Sequence, residues 1–378
     1  MPAGLGYTAA VTSLLVLRYP RAAAASRVRI ERGGLARLGS FTRLVTAARR
    51  VVVVSDARVA VLHAPCVLRS LRHAGLAADL VRVPAGERSK SPRHLAWLWD
   101  RLAALEVTRR DALVALGGGV VGDLAGFAAA TFLRGIPWVC VPTTVLAQVD
   151  SGVGGKTGVD LRAGKNLAGA FHQPAGVLID PDTLATLPER QRRAGLAEVV
   201  KAGMAVDAAL FRWTEANAEA LADGRASTLA AAVARAVRVK ARVVMADERE
   251  RPGGRRTALN YGHTVAHAIE AVRGYRGILH GEAVAIGMRA AGALSVRLAG
   301  LPDGARARQD ALLDRLGLPA RMPRTPVAGL LEAMRRDKKR DALGIRWVLT
   351  TRVGHASVPR LISGRLVRSA LLQAGAEA

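Results

Sequence analysis

Histidines and carboxylates with metal-ligand spacing occur in two segments of this 378-residue chain. His263 and His267 are spaced i and i+4, so a helix would carry both imidazoles on one face, and His280 follows closely. Glu198 lies upstream, three residues before Lys201 on another predicted helix. Two histidines and one carboxylate are the ligand set of a catalytic zinc site with an open coordination position. The pattern favours a metal site, and a histidine pair in a helix core without a ligand is the alternative.

Lysine is rare in this chain, because only seven of its 56 basic residues are lysines and the others are arginines. Lysine is a compact ammonium on a flexible stem, whereas arginine is a wide planar fork. Positions that keep lysine against this bias are therefore candidates for small anion-binding pockets. Lys156, Lys165 and Lys201 each lie in an unusual local sequence. For these three we favour anion binding over leftover surface charge.

A glycine-rich loop could approach a dinucleotide. Residues 117–122 match G-x-G-x-x-G between a predicted strand and a predicted helix, where unpaired N–H groups face a pyrophosphate. The acidic residue usually found about 20 positions later is missing. Asp56, at the end of an earlier strand, could hold the ribose instead. A tight strand–helix turn without a ligand explains the glycines equally well.

A second glycine-rich segment follows at residues 152–158 and includes Lys156. It offers backbone donors and an ammonium group to an anion. The run 164–166, Gly-Lys-Asn, adds another charge and an amide. Two successive anion-binding loops fit a dinucleotide that lies beside a phosphorylated substrate.

Alternating strands and helices must position these motifs in the first half. Strands are predicted at 51–55, 80–83, 111–116, 138–141 and 177–179, and intervening helices at 92–105 and 122–132. This alternation predicts parallel βαβ units. Alanine-rich helices are predicted afterwards at 194–206, 208–222, 228–245, 264–271 and 282–298, with a possible hairpin at 345–358. We therefore predict a Rossmann-like α/β domain with a mostly parallel sheet at residues 1–189, followed by an all-α domain at 190–378.

Composition argues against several other classes of protein. The formal charge is +26, but the arginines are scattered and aromatic residues make up only 4% of the chain, too few for base-stacking platforms. We therefore expect no specific nucleic-acid binding. No apolar run reaches the ~18 residues that span a bilayer, so no membrane association is expected. Cys66 and Cys140 form no disulfide framework, which suggests a reducing cytoplasm.

Taken together, these segments resemble the 3-dehydroquinate synthases, a family of sugar-phosphate cyclases. The resemblance covers about residues 50–360. Its most specific stretches are 117–123, 131–135, 142–158, 164–174, 197–203, 240–250, 260–270, 280–288 and 337–339.

The resemblance implies a homodimer whose active site lies between the two domains. Zinc, or cobalt in its place, would be held by Glu198, His263 and His280. NAD would be lined by Asp56, Glu87, Lys90, Gly118, Gly119, Asp123, Thr143, Thr144, Asp150, Lys156, Lys165, Thr186 and Leu187. Asp150 would also meet the ring hydroxyls of the substrate. The substrate phosphate would be surrounded by Lys156, Asn166, Lys201, Asn260, His267, one of Lys338 and Lys339, and Arg134 from the neighbouring subunit. The substrate carboxylate would be bound by Lys240 and Arg256, the latter in preference to Arg255.

The activity that the resemblance implies is the conversion of 3-deoxy-D-arabino-heptulosonate 7-phosphate to 3-dehydroquinate and phosphate, a step of the shikimate pathway. NAD would oxidise a ring alcohol transiently, phosphate would be eliminated, the hydride would return, and an intramolecular aldol step would close the carbocycle. The enzyme would thus be a carbon–oxygen lyase that depends on NAD and a divalent metal.

Three other functions remain open. The nearest is a sister cyclase that acts on sedoheptulose 7-phosphate or on an amino-substituted heptulosonate. Sedoheptulose 7-phosphate has no carboxylate, whereas a substrate with a carboxylate is favoured by Lys240, Arg256, Asn260 and His267. A metal-dependent alcohol dehydrogenase of the same fold would not need so many phosphate-binding cations. A basic nucleic-acid-binding protein would leave the histidine and glutamate set without an explanation.

Overall fold

The computed structural model describes residues 12–19, 25–251, 253–336, 340–341, 344–357 and 360–378. Seven strands of the first half form one sheet: β1 (Thr12–Leu17), β2 (Ser26–Glu31), β3 (Arg50–Asp56), β4 (Ala77–Val83), β5 (Ala112–Gly117), β6 (Trp138–Pro142) and β9 (Gly176–Ile179). They lie in the order β1-β2-β9-β6-β5-β3-β4. Every neighbouring pair is parallel except β1 with β2. The predicted Rossmann-like sheet is confirmed.

Buried β-branched residues explain why β3 lies inside the sheet. Its four consecutive valines, 51–54, are all inaccessible to solvent, so both faces of the strand are covered. Strands of parallel sheets are continuous apolar runs of this kind because helices pack on both faces of the sheet. The helices of this half are α1 (Leu38–Val45), α2 (Ala57–His73), α3 (Pro92–Ala104) and α4 (Gly119–Thr131).

A separate two-stranded hairpin lies between β6 and β9. It consists of β7 (Lys156–Leu161) and β8 (Gly164–Phe171), which pair antiparallel. Its strand β7 contacts α4 extensively, so the hairpin packs against the sheet domain. The hairpin carries Lys156, Lys165 and Asn166.

The second half is mainly helical, as predicted. Its helices are α5 (Glu189–Ala205), α6 (Ala208–Ala216), α7 (Ala218–Ala222), α8 (Ala226–Ala246), α9 (His263–Val272), α10 (His280–Ala299), α11 (Asp303–Arg315), α12 (Val327–Arg336) and α13 (Gly364–Gln373). The single helix predicted at 208–222 is wrong, because the chain breaks at Asn217. Its φ of −120° is not helical, and its side-chain amide donates to the Trp213 carbonyl at 2.8 Å. Such local hydrogen bonds compete with the helix.

Short strands interrupt the helical half near its end. Strands β10 (Arg340–Asp341), β11 (Gly344–Trp347) and β14 (Arg360–Leu361) form one small sheet, and β12 (Thr350–Arg352) pairs with β13 (His355–Ala356). The second half is therefore not entirely α-helical. The possible hairpin at 345–358 is present only at 350–356, because β11 pairs with β10 and β14 instead. Among the described residues, no helix combines the length and apolar character that a membrane span requires.

Candidate active site

Two glycines on α10 allow three helices to meet closely. A Cβ at Gly281 would lie 1.8 Å from the carbonyl oxygen of Ala194, so α10 can pack against α5 only without a side chain there. A Cβ at Gly287 would lie 2.0 Å from the carbonyl oxygen of Gly262, just before α9 begins. Gly262 itself has a φ of +80°, a conformation that glycine adopts without strain. These contacts bring the first residues of α9 and α10 against the middle of α5.

Glu198, His263 and His280 therefore converge. Oε1 of Glu198 lies 3.7 Å from Nε2 of His263 and 3.6 Å from Nε2 of His280, and the ligand atoms of all three residues lie within 4.8 Å of one another. Within the described part of the chain, Oε1 of Glu198 is buried without a hydrogen-bond partner, whereas Oε2 contacts the ammonium of Lys201. Buried acceptors without such partners are costly. The cluster fits a divalent cation with the two-histidine, one-carboxylate ligand set.

Groups behind the histidines hold both rings in place. Nδ1 of His280 lies 3.3 Å from Oε2 of Glu270, and Nδ1 of His263 lies 3.3 Å from the carbonyl oxygen of Tyr261. Metal-binding histidines are usually oriented by this kind of contact to the other ring nitrogen. Burial opposes protonation of His280, but the carboxylates of Glu198 and Glu270 raise its pKa to about 10. The potential in the cluster therefore favours a positive charge.

Lys201 lies next to this cluster and is almost completely buried. Its Nζ contacts Oε2 of Glu198 and lies 3.9 Å from Oδ1 of Asp150. Burial works against the charged carboxylate of Glu198, yet Lys201 holds the pKa of Glu198 below its ordinary value. Asp150 is thus linked to the Glu198 cluster through one enclosed ammonium group.

Asp150 lies in a π-helical turn, Ala147–Ser151, a local geometry that is frequent at functional sites. The amide of Gln148 fixes this turn, since it donates to the carbonyl oxygens of Pro142 and Asp180 at 3.1 and 2.9 Å. Lys240 donates to Oδ1 of Asp150 at 2.5 Å. Burial opposes the charged form of Asp150, but Lys201 and Lys240 hold its pKa far below the ordinary value.

Arg256 and Lys156 add two further positive charges to those of Lys201 and Lys240. Arg256 is buried, and its guanidinium donates to the carbonyl oxygens of Gly154 and Glu248, whereas Arg255 is exposed. Lys156 contacts Glu250, which also accepts a hydrogen bond from Asn260 at 2.6 Å. Although burial favours the neutral acid, Lys156 and Asn260 lower the pKa of Glu250 to about 2. Asn260 and Lys156 therefore both bind the carboxylate of Glu250, in a region with several positive charges.

A cleft of about 1030 Å³ separates the sheet from the helical half. Its lining includes nearly all the residues that the resemblance assigned to NAD: Asp56, Glu87, Lys90, Gly118, Gly119, Asp123, Thr143, Thr144, Lys165, Thr186 and Leu187. Asn166, His267 and His280 also line it, so the cleft reaches the metal cluster. Asp150 is not in this lining. Lys156 lines a small adjoining cavity beside Gly118 and Gly119.

Lys90 is the most enclosed cation of the cleft. It contacts Oδ2 of Asp123 at 2.5 Å and donates to the amide oxygen of Asn166. The backbone N–H of Asn166 donates to Asp160 at 2.9 Å. Asn166 is thus held on the cleft side of the hairpin. Burial opposes the charged form of Lys90, but the carboxylate of Asp123 raises the pKa of Lys90 above its ordinary value.

Some predicted site residues are not part of these contacts. Arg134 is exposed and has a φ of +66°, in a turn after α4. Lys338 and Lys339 lie outside the described residues. His267 contributes no atom to the three-ligand cluster, but its ring centroid lies 5.5 Å from that of His263.

Two carboxylates of the site received no role from sequence reasoning, although Glu270 was noted beside the histidines. Glu250 pairs with Lys156, and Glu270 contacts both His280 and Lys165. Glu270 lies three residues after His267 on α9, and that spacing was the available signal. Glu250 has a φ of +50° in a turn, and no sequence pattern marks it as part of the site.

Several solved structures have the same overall fold. One is a 2-deoxy-scyllo-inosose synthase complexed with carbaglucose-6-phosphate, NAD+ and Co2+, with a TM-score of 0.87, 26% identity, and coverage of 95% of this chain and 99% of that one. Another is a 2-epi-5-epi-valiolone synthase from Streptomyces hygroscopicus with NAD+ and Zn2+ bound, with a TM-score of 0.82, 27% identity, and coverage of 96% and 98%. A Thermotoga maritima butanol dehydrogenase, at 16% identity and a TM-score of 0.68, shares the fold alone. In fold, and in a three-ligand cluster that fits a divalent cation, the chain is similar to these sugar-phosphate cyclases.

Sequence comparison identifies the family within that class. Residues 80–194 match the model of the 3-dehydroquinate synthase N-terminal domain, and residues 195–340 match that of the C-terminal domain. The chain belongs to the 3-dehydroquinate synthase family. A 3-dehydroquinate synthase from a Synechococcus strain is 44% identical over 352 residues, which cover 92% of this chain and 95% of that one. The Pelobacter propionicus enzyme of the same name is 47% identical over 338 residues, with coverage of 89% and 94%.

Proposed function

We propose that this protein converts 3-deoxy-D-arabino-heptulosonate 7-phosphate to 3-dehydroquinate and inorganic phosphate. The observation that carries the proposal is that the enclosed Lys240 contacts Asp150, which Lys201 connects to the Glu198 cluster. The buried Arg256 interacts electrostatically with the same Asp150. Fixed cations in a water-poor site stabilise a carboxylate and the charge that develops on a leaving phosphate. The names of the relatives at 44% and 47% identity support the same activity.

In this proposal Glu198, His263 and His280 hold zinc or cobalt. When bound, the cation supplies a Lewis acid that favours ionisation of a substrate hydroxyl near neutral pH. The chain itself contributes orientation. Glu270 contacts Nδ1 of His280, so the Nε2 atom of that ring faces Glu198. Three protein ligands leave a coordination position for the substrate.

NAD occupies the cleft between the two halves in this proposal. When bound, it supplies a reversible hydride acceptor, so the complete reaction shows no net redox change. Gly118 precedes α4, whose first N–H groups can bind a pyrophosphate. Oδ1 of Asp56 accepts the N–H groups of Arg58 and Val59 at the start of α2, and in this proposal Oδ2 binds a ribose hydroxyl.

The remaining polar residues bind the substrate in this proposal. Lys240 and Arg256 bind its carboxylate, and Asp150 accepts hydrogen bonds from ring hydroxyls. The phosphate is bound by Lys156, Asn166, Lys201, Asn260, His267 and one of Lys338 and Lys339. When the carbon–oxygen bond breaks, its electron pair goes to the phosphate, and a phosphate oxygen takes the proton from the adjacent carbon. The cations lower the barrier because they stabilise the departing dianion.

Assembly as a homodimer belongs to the same proposal, with Arg134 reaching the partner's phosphate site. Its exposed position on a turn supports this. The hairpin also exposes three large apolar side chains, Leu161, Leu167 and Phe171, at 41%, 45% and 43%. Exposed apolar side chains that lie together are common at interfaces. We likewise propose a division of the chain into domains at 1–189 and 190–378, and a cytoplasmic location.

An assay of phosphate release tests the activity. The purified enzyme with NAD and zinc should release phosphate from the heptulosonate phosphate while absorbance of NADH stays constant. Sedoheptulose 7-phosphate, which lacks the carboxylate, should react far more slowly. NADH that accumulates in step with phosphate would instead identify a dehydrogenase, and a preference for the sedoheptulose substrate would identify a sister cyclase.

A further inference from the structure

Glu270 divides its carboxylate between two parts of the molecule. Oε2 lies 3.3 Å from Nδ1 of His280, on the metal side, and Oε1 lies 3.4 Å from Nζ of Lys165, on the cleft side. The side chain is buried, so water cannot screen either contact effectively. A change in charge at one oxygen is therefore felt at the other.

Lys165 is itself shared between the two halves. It lies on β8, 2.9 Å from Oε1 of Glu87 in the sheet domain, and the ring of Tyr275 lies 4.6 Å from its Nζ. Glu87, Lys165 and Tyr275 all line the cleft. A continuous series of contacts thus runs from Glu87 through Lys165 and Glu270 to His280, which faces Glu198.

We propose that Glu270 is a positioning residue for His280, and that the Lys165–Glu270 pair couples cofactor binding in the cleft to metal binding at Glu198, His263 and His280. The inference rests on the proposed function, because it requires that NAD and a divalent cation bind at these two places. NAD tightens the binding of the metal. By thermodynamic reciprocity, the metal then tightens NAD by the same factor.

The direction follows from the charges. Without the cofactor, the ammonium of Lys165 draws negative charge of Glu270 away from His280. The pyrophosphate of NAD brings negative charge into the cleft, so the ammonium of Lys165 interacts with the pyrophosphate as well as with Glu270. Glu270 then acts more strongly on Nδ1 of His280, and a carboxylate there increases the basicity of a metal-binding imidazole.

Metal affinity measured with and without NAD tests the coupling. Full-length protein, stripped with a chelator, is titrated with cobalt(II) against a chelating indicator, at zero and at saturating NAD. Calorimetry measures NAD affinity with and without the metal. We expect the two factors to agree, at about tenfold, within the usual range of such couplings.

Three variants separate coupling from structure. Glu270→Gln keeps the shape and removes the charge, so metal affinity should fall about 10–100-fold and the effect of NAD should disappear. Lys165→Met should do the opposite in the absence of NAD, binding metal as tightly as NAD-saturated wild type, because nothing neutralises Glu270. Arg190→Met is the matched control. It removes an exposed ion pair with Glu282 between the same helices α5 and α10, and it should leave the coupling unchanged.

The outcomes are distinct. Two outcomes overturn the inference in a protein that still binds metal and NAD. One is coupling below threefold in the wild type, and the other is coupling that persists in both Glu270→Gln and Lys165→Met. A Lys165→Met protein with weakened metal binding also overturns it, and this variant decides the question if Glu270→Gln does not fold. A wild-type protein that binds neither metal nor NAD overturns the proposed function together with the inference.

Discussion

The ammonium of Lys201 contacts the carboxylate of Glu198 one turn earlier on α5, and each residue exposes only 2% of its surface. Two buried charges are tolerated only when they compensate each other closely. The same ammonium lies 3.9 Å from Asp150, so it has little free space around it. The pocket therefore selects a compact cation, in a chain that otherwise uses arginine almost everywhere.

Lys201→Arg should lower kcat/KM by about 100-fold or more although the charge is kept, because a planar fork is wider than an ammonium group. The measurement is steady-state phosphate release. The control is Arg308→Lys, which alters an exposed ion pair with Glu215 on the surface and should change the rate less than twofold. Wild-type rates for Lys201→Arg would show that the shape of this pocket does not matter.

His263→Ala should abolish stoichiometric metal binding. Nε2 of His263 lies 3.7 Å from Oε1 of Glu198, and removal of the ring leaves only two of the three clustered ligands. Elemental analysis of the dialysed protein measures the effect. His355→Ala is the matched control, since this exposed histidine is not one of the three clustered ligands and its Nδ1 lies 3.1 Å from the Thr351 hydroxyl. If the His263→Ala protein retained a full equivalent of metal, the ligand assignment would be wrong.

Sequence was sufficient for the large features of the molecule. Four buried valines made β3 recognisable, and the spacing of His263 and His267 put both rings on one face of α9. The hairpin of β7 and β8 was missed because glycines typical of loops lie next to it, such as Gly155 just before β7, with a φ of +64°. Pairing between strands depends on partners that local composition does not reveal.

The site was predicted less completely than the fold. The positions of cations stood out because lysine is rare, but carboxylates carry no such bias in this chain. Glu270 belongs to the site through two contacts that tertiary packing creates, because α10 brings Nδ1 of His280 within 3.3 Å of it and β8 brings Lys165 within 3.4 Å. Likewise, Arg256 was separated from its neighbour Arg255 by burial, which depends on the packing of the whole segment.

Catalysis should weaken in alkaline solution. Burial, opposed by Asp150 and assisted by Arg256, lowers the pKa of Lys240 to about 8. Lys240 is charged below this pH and neutral above it, so binding of a carboxylate is lost as the pH rises. We expect kcat/KM to fall about tenfold per pH unit above this pKa. Lys240→Arg should abolish this alkaline decrease, whatever the absolute rate of the variant, because arginine stays protonated. A flat wild-type profile up to pH ~9.5 would contradict the assignment.

Arg134 should act in the partner's active site. Arg134→Ala alone should lose most activity, and Glu198→Ala alone should lose it through the metal cluster. In a mixed dimer, the Arg134→Ala subunit keeps an intact cluster and receives a wild-type arginine from its Glu198→Ala partner. Activity should therefore reappear when the two inactive proteins are dissociated and reassociated together. Mixed dimers, verified by two different affinity tags, that stayed inactive would contradict a shared site.

Packing of α10 on α5 should limit both stability and metal binding. Gly281→Ala would place a Cβ 1.8 Å from the Ala194 carbonyl oxygen, and the helices must separate to accommodate it. The replacement should favour a helix locally, so a loss of stability isolates the contact between the helices. We expect the free energy of unfolding of the metal-free protein to fall by about 1–3 kcal/mol, and metal affinity to fall because His280 moves away from Glu198. Gly304→Ala on α11, where no atom lies within 4 Å of the added group, is the control and should be neutral or slightly stabilising. Equal denaturation midpoints for the two variants would show that close approach of α10 and α5 does not hold the ligands together.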